Sequence, residues 1–369
     1  MARTTTDIDR SAAARLLVYC PNGKISMPRV RDQLANSLGD TGVVICLGAG
    51  VSAASGIPDW KELLCRIGTA VLPGRGSEVV GQLIQNGFGL PAIASIIEAK
   101  WRVLHPKSPR ERFAEVVRDA LYRDLPADCR VAGVSGRADL VAEIQNRNPT
   151  LRAVAAFCVT KTDSCSLCPN LGVRAIVNLS YDALLRFYMR FRYDAILLRT
   201  IERPDASPRL ARIPVYHPHG FLHFNPKYCG DLDSETPDRL ILTEQEYFDF
   251  FNRPLSVFTY TMLFLLREHS FLFIGTSLKD ENIRRLLHYS KQERLGAFRR
   301  RGKTLATSRA DRHFVILRRR SSGVLNELTA TSLQILGVKP IWINTHEDIP
   351  ALLGDIYESS GKNHWRDVY

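Results

Sequence analysis

Five residues near the start of the chain, Gly48-Ala49-Gly50-Val51-Ser52, follow directly on an apolar run, Val43-Val44-Ile45-Cys46-Leu47. Five successive apolar side chains suit a strand buried on both faces, as in a parallel sheet. A small-residue turn at the end of such a strand has two uses. It brings backbone amides close to a diphosphate at a helix N-terminus, or it makes a tight connection and nothing more. The spacing departs from the common dinucleotide fingerprint, because the third glycine is Gly56. A second pattern, Cys165-x-x-Cys168, has the spacing of a metal or redox pair. A structural zinc needs four ligands, and the upstream thiols Cys129 and Cys158 stand at irregular spacing. The pair therefore reads as ordinary thiols in a helix-to-strand connection, and no metal is expected.

Elements that could position such a turn are legible around it. A small helical cap is expected over 1–40, with helices near Arg10–Leu17 and Arg29–Ser37 and a turn at Pro21-Asn22-Gly23. From Lys61 to about Thr160, apolar residues recur at intervals of three and four: Leu63, Leu64 and Ile67; Val79, Val80, Leu83 and Ile84; Phe113, Val116, Val117 and Leu121. That period predicts four to six short helices, inserted at about 61–165. Strand-like runs then alternate with helical ones: Arg174–Leu179, Ile213–Tyr216, Arg239–Leu242, Phe271–Ile274, Phe314–Leu317 and Pro340–Ile343, with a last helix near Ile349–Ile356. Strands separated by helices imply βαβ crossovers. The expected fold class is α/β: a Rossmann-like parallel sheet flanked by helices, with a helical insertion after the first strand. Its domain would span 41–357, leaving 358–369 as a tail.

At 369 residues and 45% hydrophobic composition the chain reads as globular. No apolar stretch reaches membrane-spanning length, and the acid-containing opening MARTTTDIDRSAAARLLVYC lacks the apolar core of a secretory signal. A cytoplasmic protein with no membrane partner is expected. Its formal charge of +12 is densest at Arg299-Arg300-Arg301-Gly302-Lys303 and Arg318-Arg319-Arg320. Such a surface is either plain solvated helix and loop or the footprint of an anionic partner, nucleic acid or another subunit.

The full string Gly48-Ala49-Gly50-Val51-Ser52-Ala53-Ala54-Ser55-Gly56-Ile57-Pro58-Asp59-Trp60 resembles the opening motif of sirtuins and sirtuin-like proteins. The continuation Lys61-Glu62-Leu63-Leu64 lacks the arginine of the protein-deacylating members and is similar to the prokaryotic branch associated with antiphage defence. Val177-Asn178-Leu179-Ser180-Tyr181-Asp182 resembles that branch's T-x-N-Y-D motif, and His217-Pro218-His219-Gly220 its His-Gly motif. Leu242-Thr243-Glu244-Gln245-Glu246-Tyr247 and Phe273-Ile274-Gly275-Thr276-Ser277-Leu278-Lys279-Asp280 resemble its later signatures. The zinc ribbon of deacylating sirtuins, which follows their His-Gly motif, is missing. Ser180 stands where the family carries an NAD-contacting asparagine, with Asn178 two residues earlier on the same side of an extended strand.

The resemblance implies an NAD hydrolase that cleaves the nicotinamide–ribose bond and depletes NAD in abortive antiviral defence. It assigns diphosphate to Gly48, Ala49, Gly50 and Ser52, and the nicotinamide end to Asp59 and Trp60. Gly275, Thr276 and Ser277 take the adenosine side. His219 becomes the base, and Ser180 and Asn178 contact ribose or water. Asp182 joins the cofactor-binding set, with a helix cap as its structural alternative. His217, His223 and Tyr247 read as structural. Nicotinamide leaves NAD as a neutral molecule, so the paired carboxyl groups of ordinary glycosidases are not required. The implied partners are NAD as substrate, further copies of the chain, and a regulatory protein such as a hexameric translocase-like ATPase. Two other readings stand beside this one: a regulatory or scaffold subunit that holds NAD or ADP-ribose without cleaving it, and an NAD-dependent protein deacylase.

Overall fold

In a computed structural model the described residues are 27–108, 110–125, 134–162, 165–193, 197–201, 212–223, 240–252, 257–300, 311–362 and 365–369. The helix near Arg10 and the turn at Pro21 lie outside them. Helix α1 (Met27–Gly39) leads into β1 (Val43–Leu47), whose side chains are all buried. Among the described residues six helices follow: α2 (Trp60–Val71), α3 (Gly76–Gln85), α4 (Leu90–Leu104), α5 (Arg110–Leu121), α6 (Val134–Arg147) and α7 (Pro149–Phe157). A hairpin of β2 (Val159–Thr162) and β3 (Cys165–Pro169) then precedes β4 (Val173–Asn178). The Cys165-x-x-Cys168 pair therefore sits on a strand, with Cys168 opposite Thr160.

The second half alternates as its patterning predicts: α8 (Leu184–Arg192), β5 (Leu198–Ile201), β6 (Ile213–Tyr216), α9 (Glu244–Asn252), α10 (Val257–Glu268), β7 (Ser270–Ile274) and α11 (Glu281–Arg300). There follow β8 (His313–Arg318), α12 (Gly323–Ile335), β9 (Val338–Ile343), α13 (Asp348–Ser359) and a last helical turn, α14 (Trp365–Val368). Two details depart from the sequence reading. Strand β5, an edge strand of four residues, carries no alternation that marks it. The described residues of the expected strand 239–242 are not in the sheet. There the Glu246 carboxylate accepts from the amides of Leu242 and Thr243, the glutamate half of a capping box at the start of α9. The amide of Ile241 goes to the His219 carbonyl.

Seven strands form one parallel sheet in the order β5-β6-β4-β1-β7-β8-β9. One face is covered by a large core that joins α1 and α13 to the helices after β1, the other by α10, α11 and α12. The chain's end belongs to the first: Trp365 and Val368 are buried, and the Tyr193 hydroxyl donates to the Val368 carbonyl. The fold is α/β and Rossmann-like. From β1 the chain first builds toward β4 and the β5 edge, then returns to place β7 on the opposite flank of β1. Open sheets bind ligands outside the carboxyl ends of the strands at such a reversal. Among the described residues no helix is long and apolar enough to cross a membrane.

Candidate functional site

The two loops at the reversal, after β1 and after β7, interlock through backbone alone. The Gly48 amide donates to the Ile274 carbonyl and the Gly50 amide to the Gly275 carbonyl, both at 3.0 Å. A Cβ at Gly48 would lie 2.5 Å from the Gly275 oxygen, and one at Gly275, whose φ is 67°, 2.5 Å from the Val51 nitrogen. The glycines are thus required by contact of loop with loop, which is the tight-connection reading. After Gly48 no long helix begins. Two single 3₁₀ turns, Ala49–Val51 and Ala53–Ser55, end at Gly56 in the left-handed conformation, and Pro58 follows, disfavouring helix at the residue before it. The first long helix after the turn begins at Trp60, one residue from where the periodicity puts it, and is capped by Asp59, whose exposed carboxylate accepts from the Glu62 amide at 2.8 Å.

Gly275→Ala tests the interlock. Strain in the left-handed region costs ~1–3 kcal/mol, and here a backbone clash adds to it. Urea unfolding is expected to show a loss of about 2 kcal/mol or more. Gly74→Ala is the control, since its φ is also positive at 82° but no atom lies within 4 Å of the added Cβ. An equal loss in both variants would mean that loop contact contributes nothing.

Next to the glycines stands a buried polar knot. Asp182 accepts from the Ser52 hydroxyl at 2.9 Å through Oδ1 and from the Ser180 hydroxyl at 2.5 Å through Oδ2. Its Oδ1 also takes the Leu184 amide at 3.1 Å, so Asp182 serves the start of α8 as well. Burial raises its carboxyl above the ordinary range, while these hydrogen bonds act in the opposite direction. Asn178 does not reach out beside Ser180 in strand alternation, because β4 ends at Asn178. It closes a turn instead, its Oδ1 accepting from the Ser180 amide at 3.0 Å. Asn178, Ser180 and Asp182 are therefore one local unit, joined to Ser52 of the glycine loop.

His219 lies beside this unit, buried, in the turn after β6. Its imidazole donates to the Leu179 carbonyl, and burial lowers its pKa from 6.5 against the opposing charge of Asp280. Asp280 follows β7 and caps α11, its Oδ1 accepting from the amides of Asn282 and Ile283. The ring of His219 lies 5.6 Å from that of Tyr247, which stacks in turn on Trp60 at 5.6 Å and 24°. Trp60, Tyr247 and His219 thus form an aromatic wall, and Tyr247, read from sequence as core, joins Trp60 to the histidine. His217 and His223 sit in another setting. Burial, with Arg186 and His223 nearby, brings His217 down to about 3; burial with Arg186 and Arg118 does the same to His223. His217 donates to the Ser180 carbonyl and stacks on Phe221, a structural use.

Beyond these, Thr276 is half-buried and accepts from the Leu278 amide, and Ser277 is exposed on the same loop. Two positioning residues carry no sequence signal for their roles. Asn148, fully buried, caps α7 and donates to the Val51 carbonyl at 2.9 Å and the Ser55 hydroxyl at 3.0 Å. The dipeptide Asn148-Pro149 announces a helix start, but not that its amide holds the glycine loop. The Tyr122 hydroxyl donates to the Leu222 carbonyl and accepts from the Ala183 amide, tying the His219 segment to the Asp182 turn. No group of three or more His, Cys, Asp or Glu that could hold a metal occurs among the described residues.

Residues 174–341 match the family model of the SIR2-like domain. The span takes in Asn178, Ser180, Asp182, His219, Tyr247 and the loop from Gly275 to Asp280. The glycine loop at Gly48 lies upstream of it and is bound to it by the contacts above. No curated protein matches the chain.

Proposed function

We propose that the chain, whose residues 174–341 match the SIR2-like domain, is a sirtuin-like enzyme that hydrolyses NAD at the nicotinamide–ribose bond. The products are nicotinamide and ADP-ribose, and the role is antiphage defence by NAD depletion. The observation that carries this reading is His219: a buried imidazole held below its ordinary pKa, and so uncharged at neutral pH. It stands beside a hydroxyl-and-carboxylate knot at the sheet's topological reversal. A neutral imidazole has one N–H and one lone pair. With the N–H directed to Leu179, the other ring nitrogen carries the lone pair that takes a proton from a water attacking the ribose. Departure of neutral nicotinamide needs no acid; the site has only to exclude bulk solvent, favour the developing positive charge and orient the one attacking water. Asp280 and Asp182 supply negative field, and Ser180 orients ribose or water. The aromatic wall of Trp60 and Tyr247 takes the nicotinamide end, beside Asp59. The diphosphate lies along the outer side of Ala49 and Gly50, and Thr276 and Ser277 take the adenosine side. An enzyme of this kind must be held silent until triggered, which calls for a regulatory partner.

One observation favours a second reading, a subunit that binds NAD or ADP-ribose without cleaving it. The Ser180 hydroxyl is already committed to Asp182, where an asparagine would present an amide to the ligand. Incubating the purified chain with NAD separates the two: nicotinamide with ADP-ribose supports hydrolysis, while binding without turnover supports the second. Nicotinamide release only in the presence of an acyl-lysine peptide would overturn both in favour of a deacylase. Ser180→Asn is expected to raise turnover at least ~10-fold, the worth of about 1.4 kcal/mol in the barrier. Unchanged turnover would show that serine serves as well as asparagine.

A further inference from the structure

Helix α12 is held by little of its own surface. Of its thirteen residues only Leu333 is buried, while Val324, Leu325, Leu328 and Ile335 are 65, 45, 60 and 59% exposed. On α10, at the other side of the same layer, Tyr260 and Phe264 are also exposed at one-turn spacing. Between them runs α11, joined to α10 through their shared core and to α12 by Arg284 to Ser332 and Lys291 to the Gln334 carbonyl. The outer face of three adjacent helices is thus apolar at both flanks. Large apolar side chains exposed together on both sides of a polar centre, rather than scattered singly, fit an interaction surface.

The middle helix says what covers it. Its exposed line runs Glu281, Arg285, His288, Tyr289, Gln292, Glu293, Arg299, Arg300, with Gly296 half-buried in the same line. The N-terminal end carries an acid and the C-terminal end two arginines. Because α10 and α11 both run toward the amino ends of the strands, Arg267 and the partly buried Arg312 join Arg299 and Arg300 at that pole. Two such faces laid parallel would set these arginine ends against each other. Laid antiparallel about a two-fold axis, they set Glu281 opposite Arg300, His288 opposite Glu293, Tyr289 opposite Gln292, and Arg285 opposite the side-chain-free Gly296, each pairing occurring twice. The same operation lays α12 on its copy and α10 on its copy, so that aliphatic meets aliphatic and aromatic meets aromatic. Twenty residues of helix are about 30 Å long, and three helices at 8–10 Å spacing are about 20 Å across. That face is on the order of the ~800 Å² per partner of a stable interface. Self-complementarity is what a two-fold dimer requires.

We propose that the α10–α11–α12 face is a homodimer interface in which α11 pairs antiparallel with its copy. It leaves the carboxyl ends of the strands, and the NAD site with them, at the rim. Sedimentation of the full chain tests it by charge exchange. The natural chain is expected to be dimeric at micromolar concentration. Glu281→Arg and Arg300→Glu, each alone, are expected to weaken the dimer at least ~10-fold, and the two together to restore it, because each position then meets its opposite again. Tyr289→Asp is expected to give a folded monomer by circular dichroism. A monomeric natural chain, a dimer indifferent to these changes, or failure of the double exchange to restore it would each overturn the proposal. A monomer that instead binds a single-stranded oligonucleotide through Arg299 and Arg300 would assign the face to a polyanion.

Discussion

His219→Ala is expected to lower NAD turnover by roughly 10²–10⁴-fold, the worth of a positioned general base, with NAD affinity changed far less. The pH profile distinguishes a base from a merely structural imidazole. Burial lowers the pKa of His219 from 6.5. The deprotonated, active form therefore persists as pH falls through 6.5, and turnover is expected to stay level there and decline only in more acidic solution. Asp280 opposes that shift by its negative charge. Asp280→Asn removes the charge but keeps a good helix cap, so α11 should hold. Without the carboxylate the imidazole is still harder to protonate, and the acidic limb of the profile should move further down in pH. Steady-state turnover between pH 4 and 8 for the natural chain and both variants checks the assignment. Full turnover in His219→Ala sinks it, and an acidic limb that Asp280→Asn leaves in place removes Asp280 from the account.

Periodicity makes most of the sheet legible. Val43–Leu47, Ile213–Tyr216 and Phe271–Ile274 are apolar runs bounded by turn residues, and the structure places strands there within a residue. What the pattern misses is decided by partners far away in sequence. Residues 240–242 are apolar enough for a strand, but Glu246 takes the amide of Leu242 and the His219 carbonyl takes that of Ile241 before a ladder can. Alternation put Asn178 and Ser180 on one side of a strand that in fact stops at Asn178, because its amide side chain captures the Ser180 backbone. The site is legible only where motif residues are themselves in it. Tyr247 is part of a recognisable string, yet its place between Trp60 and His219 depends on how α9 docks beside α2. Asn148 and Tyr122 act on carbonyls and amides 61 to 100 residues away in sequence, and no local rule reports such contacts.

The second large effect is expected at Asp182, where fold and site meet. Asp182→Ala leaves the hydroxyls of Ser52 and Ser180 and the amide of Leu184 without their common acceptor in a buried setting. Each buried donor so abandoned costs ~1–3 kcal/mol, and the three are coupled, so the loss should be on the order of 3 kcal/mol rather than their sum. Asp182→Asn keeps one acceptor oxygen and should cost about half as much, still with most NAD turnover lost, since Ser180 and the glycine loop are no longer held to one another. The pH dependence has a definite sign. Because burial raises the carboxyl's pKa in the folded chain, the folded state binds more protons than the unfolded one above the ordinary value of 3.8. The contribution of Asp182 to stability is therefore complete below that value and declines as pH rises through the folded pKa. Asparagine has no such decline, so the gap between the natural chain and Asp182→Asn should be widest in acid and narrow toward neutrality. Urea unfolding of both at pH 4 and pH 7 measures it. A gap that widens toward neutrality would mean that the hydrogen bonds from Ser52, Ser180 and Leu184 outweigh burial, and that the carboxylate is held ionised throughout.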